Sequence, residues 1–300
     1  MKPQFPDFKM LDLRDETLIK EFAARASARV CEFSFANLMA WRDFDRPSYT
    51  FIDDCLCVRI DPMDEPPFFL EPLGSNVTMN VVNRCIQNIG KISRVSLEFV
   101  DRYCDENFNI RPLRDHFDYV YRVDELKELK GRKFDGKRNR IKNFMREHPK
   151  YKYVELEKQH ANDALKLLDD WFRIRRPDDY DQPDLDYTCQ VDAIERIFEY
   201  YDELKLSGGA LLAEDKFSGF VVGSALSKQT ACVHFCYSDP RMKGSFQTLL
   251  WEACRGTFSS YEHVNLEQDL GIVGLRRNKN SYYPSGMEEK FEVVKRVREL

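Results

Sequence analysis

The 300-residue sequence has no uninterrupted apolar run near the roughly 18 residues that a membrane-crossing helix needs. Its first ten residues carry no apolar stretch behind a positive end. These absences predict a soluble, unexported, cytoplasmic protein with no integral membrane association. Also missing are a Gly-x-Ser-x-Gly elbow, a Walker loop, a His-Glu-x-x-His pair and a Cys-x-x-Cys pair. The common hydrolase, nucleotide-hydrolase, zinc-protease and thiol-redox classes are thereby excluded, and transfer chemistry survives best. Glycine and proline are sparse, at 13 each, while 43% of residues are hydrophobic, so the chain is neither fibrous nor disordered. Positive charge is not in excess: 46 Lys and Arg against 51 Asp and Glu exclude a uniformly basic nucleic-acid coat and leave room only for a local patch. The nine cysteines, an odd number set mostly in apolar segments, suit a reducing compartment better than a disulfide framework.

What is present is periodic. Ala161, Ala164, Leu165, Leu168, Trp171 and Phe172 recur at helical spacing up to Pro177, and Val191, Ile194, Phe198, Tyr201 and Leu204 form a second stripe. Leu211–Glu214, Phe217–Ser227 and Ala231–Ser238 then read as an antiparallel meander. A helix follows with Phe246, Leu249, Leu250, Ala253 and Thr257 on one face. A strand over Val264–Asp269, a short helix over Leu275–Tyr282 and a last strand around Phe291, Val293 and Val297 complete the order ααβββαβαβ.

The first half echoes that order, with helices over Glu16–Ala28, Phe33–Trp41 and Val77–Ile89. Strands are read over Tyr49–Ile52, Cys55–Ile60, Phe68–Leu70, Val95–Val100 and Phe117–Val123. The fold class is therefore α/β with mixed sheets, in two copies. The expected domains are 1–129, a basic linker helix over 130–152, and 153–300. The linker holds ten basic residues against Asp135 and Glu147, with Ile141, Phe144, Met145 and His148 on one helical face and Arg138, Lys142 and Arg146 aligned on the next.

Three groups of residues are suited to chemistry. Arg241, Met242, Lys243, Gly244, Ser245 and Phe246 lie between a strand and a helix, where free amides, the helix dipole and two cations converge on an anion such as a phosphate. Strict alternation over Val264–Asp269 puts Asn265, Glu267 and Asp269 on one face. A carboxylate buried there without a partner becomes a base, unless Arg276, Arg277 or Lys279 pairs with it. Tyr282 or Tyr283 ends the next helix as a candidate general acid. Cys232, His234 and Cys236 share a strand face, but about 13 Å separates the outer pair. That is too far for one zinc, so no metal is expected. His234 is left as a substrate-cleft residue or an ordinary core histidine. In the linker, Lys137, Arg138, Lys142 and Arg146 are candidates for phosphate-backbone contact.

The Arg241-x-x-Gly244 loop resembles the pyrophosphate loop of GNAT acetyltransferases, with Phe246 in place of that family's small residue; the resemblance implies acyl-CoA as a cofactor. A longer likeness covers nearly the whole chain. The run from His263 through Asn265, Glu267, Gln268, Asp269, Gly271, Gly274, Arg276, Lys279, Tyr282 and Pro284 resembles the DUF2156 family, similar to the C-terminal domain of phosphatidylglycerol lysyltransferases. Phe33–Trp41, Lys133–Asn139 and Lys243–Gln247 add to it. The resemblance implies a tandem GNAT-like fold and transfer of an aminoacyl group from aminoacyl-tRNA to an acceptor that the sequence does not name. Glu267 or Asp269 would be the base and Tyr282 the acid. Asn265, His234, Arg276 and Lys279 would face the substrate, and the Arg241–Phe246 loop would hold donor phosphates. An acyl-CoA-dependent N-acyltransferase and a non-catalytic RNA-binding or interaction module are the alternatives.

Overall fold

The computed structural model describes residues 2–175 and 185–296. The helix stop expected at Pro177 and the strand residue Val297 lie outside the described residues. Fourteen strands occur in the described residues. The first seven are β1 (Lys9–Met10), β2 (Ser48–Ile52), β3 (Cys55–Ile60), β4 (Phe68–Phe69), β5 (Lys91–Ser96), β6 (Phe108–Pro112) and β7 (Asp118–Arg122). The rest are β8 (Lys152–Glu155), β9 (Ser207–Ala213), β10 (Lys216–Ala225), β11 (Thr230–Ser238), β12 (His263–Asn265), β13 (Gly286–Glu288) and β14 (Lys290–Lys295). They form two mixed seven-stranded sheets, ordered β1-β2-β3-β4-β5-β14-β6 and β13-β7-β12-β11-β10-β9-β8. The α/β class with mixed sheets is as the periodicity predicts.

The chain divides into two compact units. Unit 1 is Met1–Tyr119, Glu267–Arg277 and Met287–Leu300; unit 2 is Val120–Leu266 and Asn278–Gly286. These bounds differ from the contiguous ranges 1–129, 130–152 and 153–300, because strands are exchanged. β14, the last strand, inserts between β5 and β6 of the first sheet, pairing antiparallel with both, instead of completing the second. β7 lies beside β12 in the second sheet, with Val264 opposite Tyr121.

In unit 1 the β2–β3 hairpin turns on Asp53 and Asp54, both at positive φ, as the right-handed twist of a two-residue connection requires. The helix Met79–Ile89 starts where the Thr78 hydroxyl accepts from the Val81 amide and ends at Gly90; its buried face is Val81, Val82, Cys85 and Ile86. That face joins Ile52, Phe69, Ile92, Phe99 and Val293 in the core. The strand expected over Val95–Val100 is corrected: β5 ends at Ser96, whose hydroxyl accepts from the Phe99 amide at 3.2 Å and starts the helix Leu97–Tyr103. A capping serine outweighs a short apolar run.

In unit 2 the helices Ala161–Arg175 and Leu185–Glu199 precede β9, β10 and β11, then the helix Ser245–Arg255, in the expected order. The helix Asp135–Glu147 occupies the predicted linker. It buries Ile141 and Phe144, and Ile141 joins Leu129 and Phe134, with Met145 and Trp251 packed alongside. Among the described residues no helix is long and apolar enough to cross a membrane.

Candidate functional site

β11 and β12 pair in parallel only from Thr230–Cys232 against His263–Asn265. β11 then runs on to Ser238, while the extended chain leaves β12 at Leu266, so the two strands part. Asn265 is fully buried at the fork. His234, two residues past the last pair on β11, is buried with its Nε2 2.8 Å from the Ser224 hydroxyl. The Lys279 ammonium donates to the Leu266 carbonyl at 2.5 Å, just beyond β12, and is close enough to the Cys236 thiol on β11 to favour its ionised form. Burial outweighs that effect and pushes Cys236 up to about 12, so it is no nucleophile.

Tyr282 is 3% exposed, and its hydroxyl has no hydrogen-bond partner among the described residues. Burial, with the Cys236 and Cys254 thiols adding to it, raises its pKa far above the ordinary tyrosine value, so the proton stays on through neutral pH. The Phe246 ring meets the Tyr282 ring edge-on at 6.5 Å. The bulky residue in the glycine-bearing loop thus serves as a wall for the tyrosine. On the face of the Tyr282 ring lies the Lys137 ammonium, 3.7 Å from the centroid, donating to the Ser281 hydroxyl at 2.6 Å. Burial and the neighbouring Arg140 guanidinium pull the pKa of Lys137 down to about 8.

The loop itself departs from the expectation. The Arg241 guanidinium is held by Asp239 at 2.8 and 2.9 Å and by Asp170 at 2.9 Å, so its charge is already neutralised. The buried Ser245 hydroxyl donates inward, 3.0 Å from both the Ser238 hydroxyl and the Asp239 carbonyl. Met242 is half-buried and Lys243 exposed. Gly244 has φ +89, and a Cβ on it would lie 2.4 Å from the Arg140 carbonyl. Glycine is required because the helix Asp135–Glu147 packs directly onto this turn. Arg241 is therefore corrected from a free phosphate ligand to an ion-paired one.

The shared face of Asn265, Glu267 and Asp269 is also corrected. β12 stops at Asn265, and Glu267 and Leu270 have positive φ of 57° and 52°, so alternation fails beyond Leu266. Glu267 and Asp269 belong to unit 1. There the Glu267 carboxylate accepts from the Asn37 side-chain amide at 2.9 Å.

Asp269 is fully buried. Burial alone would raise its pKa, but Arg276 at 2.7 and 2.9 Å, the Tyr119 hydroxyl at 2.7 Å and the Gly271 amide at 2.9 Å reverse that and hold it well below the usual carboxylate range. Arg114 adds a further contact at 3.1 Å. Asp269 is thus an ion-paired anchor, not a base, and Arg276 is its partner, also bound to Asp115, not a substrate ligand. Elsewhere in unit 1, Cys31, Glu32 and Asp118 offer ligand atoms within 4.8 Å of one another. The buried Lys290 ammonium, 2.6 Å from each carboxylate, supplies the charge that a metal would bring.

Of the basic linker candidates, Lys142 and Arg146 are exposed and have no ion-pair partner among the described residues. Arg138 is turned back onto Asp135 and the Leu129 and Gly131 carbonyls. Arg140 was missed by the sequence reasoning. The i, i+4 stripe drew attention to Arg138, Lys142 and Arg146, whereas Lys137 and Arg140, at i and i+3, share the edge that meets Tyr282.

A mixed sheet with a parting parallel pair, its two strands joined through a helix that starts at a glycine turn, defines an α/β fold. The chain belongs to the phosphatidylglycerol lysyltransferase C-terminal family, whose model matches residues 23–294. Among solved structures it is similar to a conserved protein of unknown function from Bacteroides thetaiotaomicron, at 26% identity and a TM-score of 0.87, covering 96% of this chain and 99% of that one. L-PGS from Bacillus licheniformis is similar at 16% identity and a TM-score of 0.66, covering 99% and 95%. The C-terminal domain of a putative lysylphosphatidylglycerol synthetase from Agrobacterium fabrum is similar at 14% and 0.63, covering 94% and 93%. An uncharacterised protein of Mycoplasmoides gallisepticum is 23% identical over 177 residues, 58% of this chain, and the match spans 55% of that protein's length.

Proposed function

We propose that this chain is a cytoplasmic acyltransferase that moves an aminoacyl group from aminoacyl-tRNA to an acceptor at the parting of β11 and β12, with unit 1 as a second GNAT-like copy serving as scaffold. The observation that carries the proposal is the buried Tyr282 hydroxyl, protonated and without a hydrogen-bond partner among the described residues. The acceptor nucleophile forms a bond to the ester carbonyl carbon, the ester C–O bond breaks, and Tyr282 gives its proton to the departing ribose oxygen. Lys279 and Asn265 orient the substrate at the fork, and His234 lies along β11. The nucleophile's proton passes to solvent water; neither Asp269, kept ionised by its arginine partners, nor Glu267, bound to Asn37, both in unit 1, is assigned that role. Family membership supports this assignment, and the exposed Lys142 and Arg146 favour a polyanionic donor.

Acyl-CoA is the alternative donor, and the neutralised Arg241 weighs against it. Two measurements decide between the donors: tRNA binding at two salt concentrations, and a thermal melt with acetyl-CoA. The aminoacyl donor predicts salt-sensitive tRNA binding and no acetyl-CoA shift, whereas a shift with acetyl-CoA alone assigns the thioester donor. Salt-sensitive binding without turnover on any charged tRNA would make the chain an RNA-binding module.

A further inference from the structure

We infer that Lys137 and Arg140 form an anion subsite beside Tyr282, one that takes a phosphate group of the donor and lies on the helix Asp135–Glu147 instead of on the Arg241 loop. Lys137 and Arg140 stand at i and i+3 on one edge of the helix, with Lys137 over the Tyr282 ring, and neither has a carboxylate within ion-pair reach among the described residues. By contrast, Arg241, Arg276 and Lys290 each hold acidic partners at 2.5–2.9 Å. Lys137 is half-buried, so its charge is costly until an anion neutralises it.

A second sign is the Tyr282 hydroxyl, also the proton donor of the proposed function, which is within electrostatic reach of Arg140 and has no hydrogen-bond partner among the described residues. A buried donor left unmade is rare and marks a position that a ligand or water completes. The surroundings suit phosphate. Ser281 orients Lys137, Tyr282 offers a π face beneath it, and the backbone of Arg140 abuts the turn at Gly244, where the 11-residue helix Ser245–Arg255 begins. The ligand chemistry is a phosphodiester or pyrophosphate carrying at least one full negative charge. It has two sources, the 3′ end of an RNA and the pyrophosphate of coenzyme A. That the ligand is the donor rests on the proposed transfer reaction, whereas anion binding itself is read without turnover.

Calorimetric titrations of the whole chain with sodium pyrophosphate, coenzyme A and an uncharged RNA minihelix ending in CCA test this. The variants are Lys137→Met, Lys137→Arg, Arg140→Gln and, as a distant exposed control, Lys228→Gln. Lys137→Met keeps the methylene packing over Tyr282, and each variant's melting temperature confirms folding. Lys137→Met and Arg140→Gln should each weaken the ligand that binds by about tenfold, Lys137→Arg should restore it to within about threefold, and Lys228→Gln should change it less than twofold. Loss confined to coenzyme A and pyrophosphate assigns a nucleotide pyrophosphate; loss confined to the minihelix assigns an RNA 3′ phosphodiester. Binding of none of the three to the wild type, or equal affinities for Lys137→Met, Arg140→Gln and Lys228→Gln, would overturn the subsite.

Discussion

Two clusters, one in unit 1 and one in unit 2, treat buried charge in opposite ways. In unit 1, Lys290 sits between Asp118 and Glu32, and Asp269 is wrapped by two arginines, a tyrosine and an amide, so each charge meets its complement. In unit 2, Lys137 lies over an aromatic face within electrostatic reach of Arg140, and the Tyr282 hydroxyl has no hydrogen-bond partner among the described residues. Neutralised networks hold backbone in place. An uncompensated cluster costs stability and persists where a ligand completes it.

The largest expected contrast is in stability. Asp269→Asn leaves Arg276 and Arg114 without their buried counter-ion and should cost about 3–5 kcal/mol, seen as a large drop in the denaturation midpoint. Tyr282→Phe deletes an unpaired hydroxyl and should leave the midpoint unchanged or raised by about 1 kcal/mol. Equal losses for the two would erase the distinction between the units.

Titration sharpens the contrast further. In unit 1, burial among Glu32, Asp64 and Glu65 pushes Asp45 up to about 7 despite Arg94. A folded pKa above the unfolded value means that the protonated form stabilises the fold, and that contribution fades as pH rises from about 4 through 7. Asp45→Asn should therefore flatten the stability profile in that window and stabilise by about 1–3 kcal/mol at pH 8, measured by urea denaturation at a series of pH values. In unit 2, Lys137 is charged below about 8, so phosphate binding at its subsite should weaken as pH rises through 8 to 9 while Arg140 stays charged. Calorimetry at pH 7 and pH 9 reads it. The smallest effect belongs to the surface: Lys142→Gln with Arg146→Gln should lower the salt slope of RNA binding by about 1–2 without changing the melting temperature.

Much of this was legible in the sequence. The order of elements in unit 2 follows from local period, and β3 matches its predicted range because Cys55–Ile60 is bounded by turn residues. The strand exchange was not legible. β14 and β7 carry ordinary strand patterns, and the choice of partner is a long-range pairing that leaves no local mark. The turn after β12 was hidden for a different reason: Glu267 and Leu270 adopt positive φ without being glycine, so a run that alternates on paper does not alternate in space. Asp269 was recognised as a special carboxylate, but its meaning depended on Arg114 and Tyr119, some 150 residues away in sequence. Lys137 reads in the sequence only as one of the linker's candidates for phosphate-backbone contact, because its burial comes from Ser281 and Tyr282, far along the chain.

The most direct measurement follows labelled aminoacyl-tRNA in the presence of a lipid and small-molecule extract as acceptor, with wild type and Tyr282→Phe compared beside their melting curves. Wild type should discharge the label and Tyr282→Phe should lose about 10²–10⁴ in rate with no fall in melting temperature. Undiminished discharge by Tyr282→Phe, or a melting-temperature fall as large as that of Asp269→Asn, would contradict a ligand-awaiting site in unit 2.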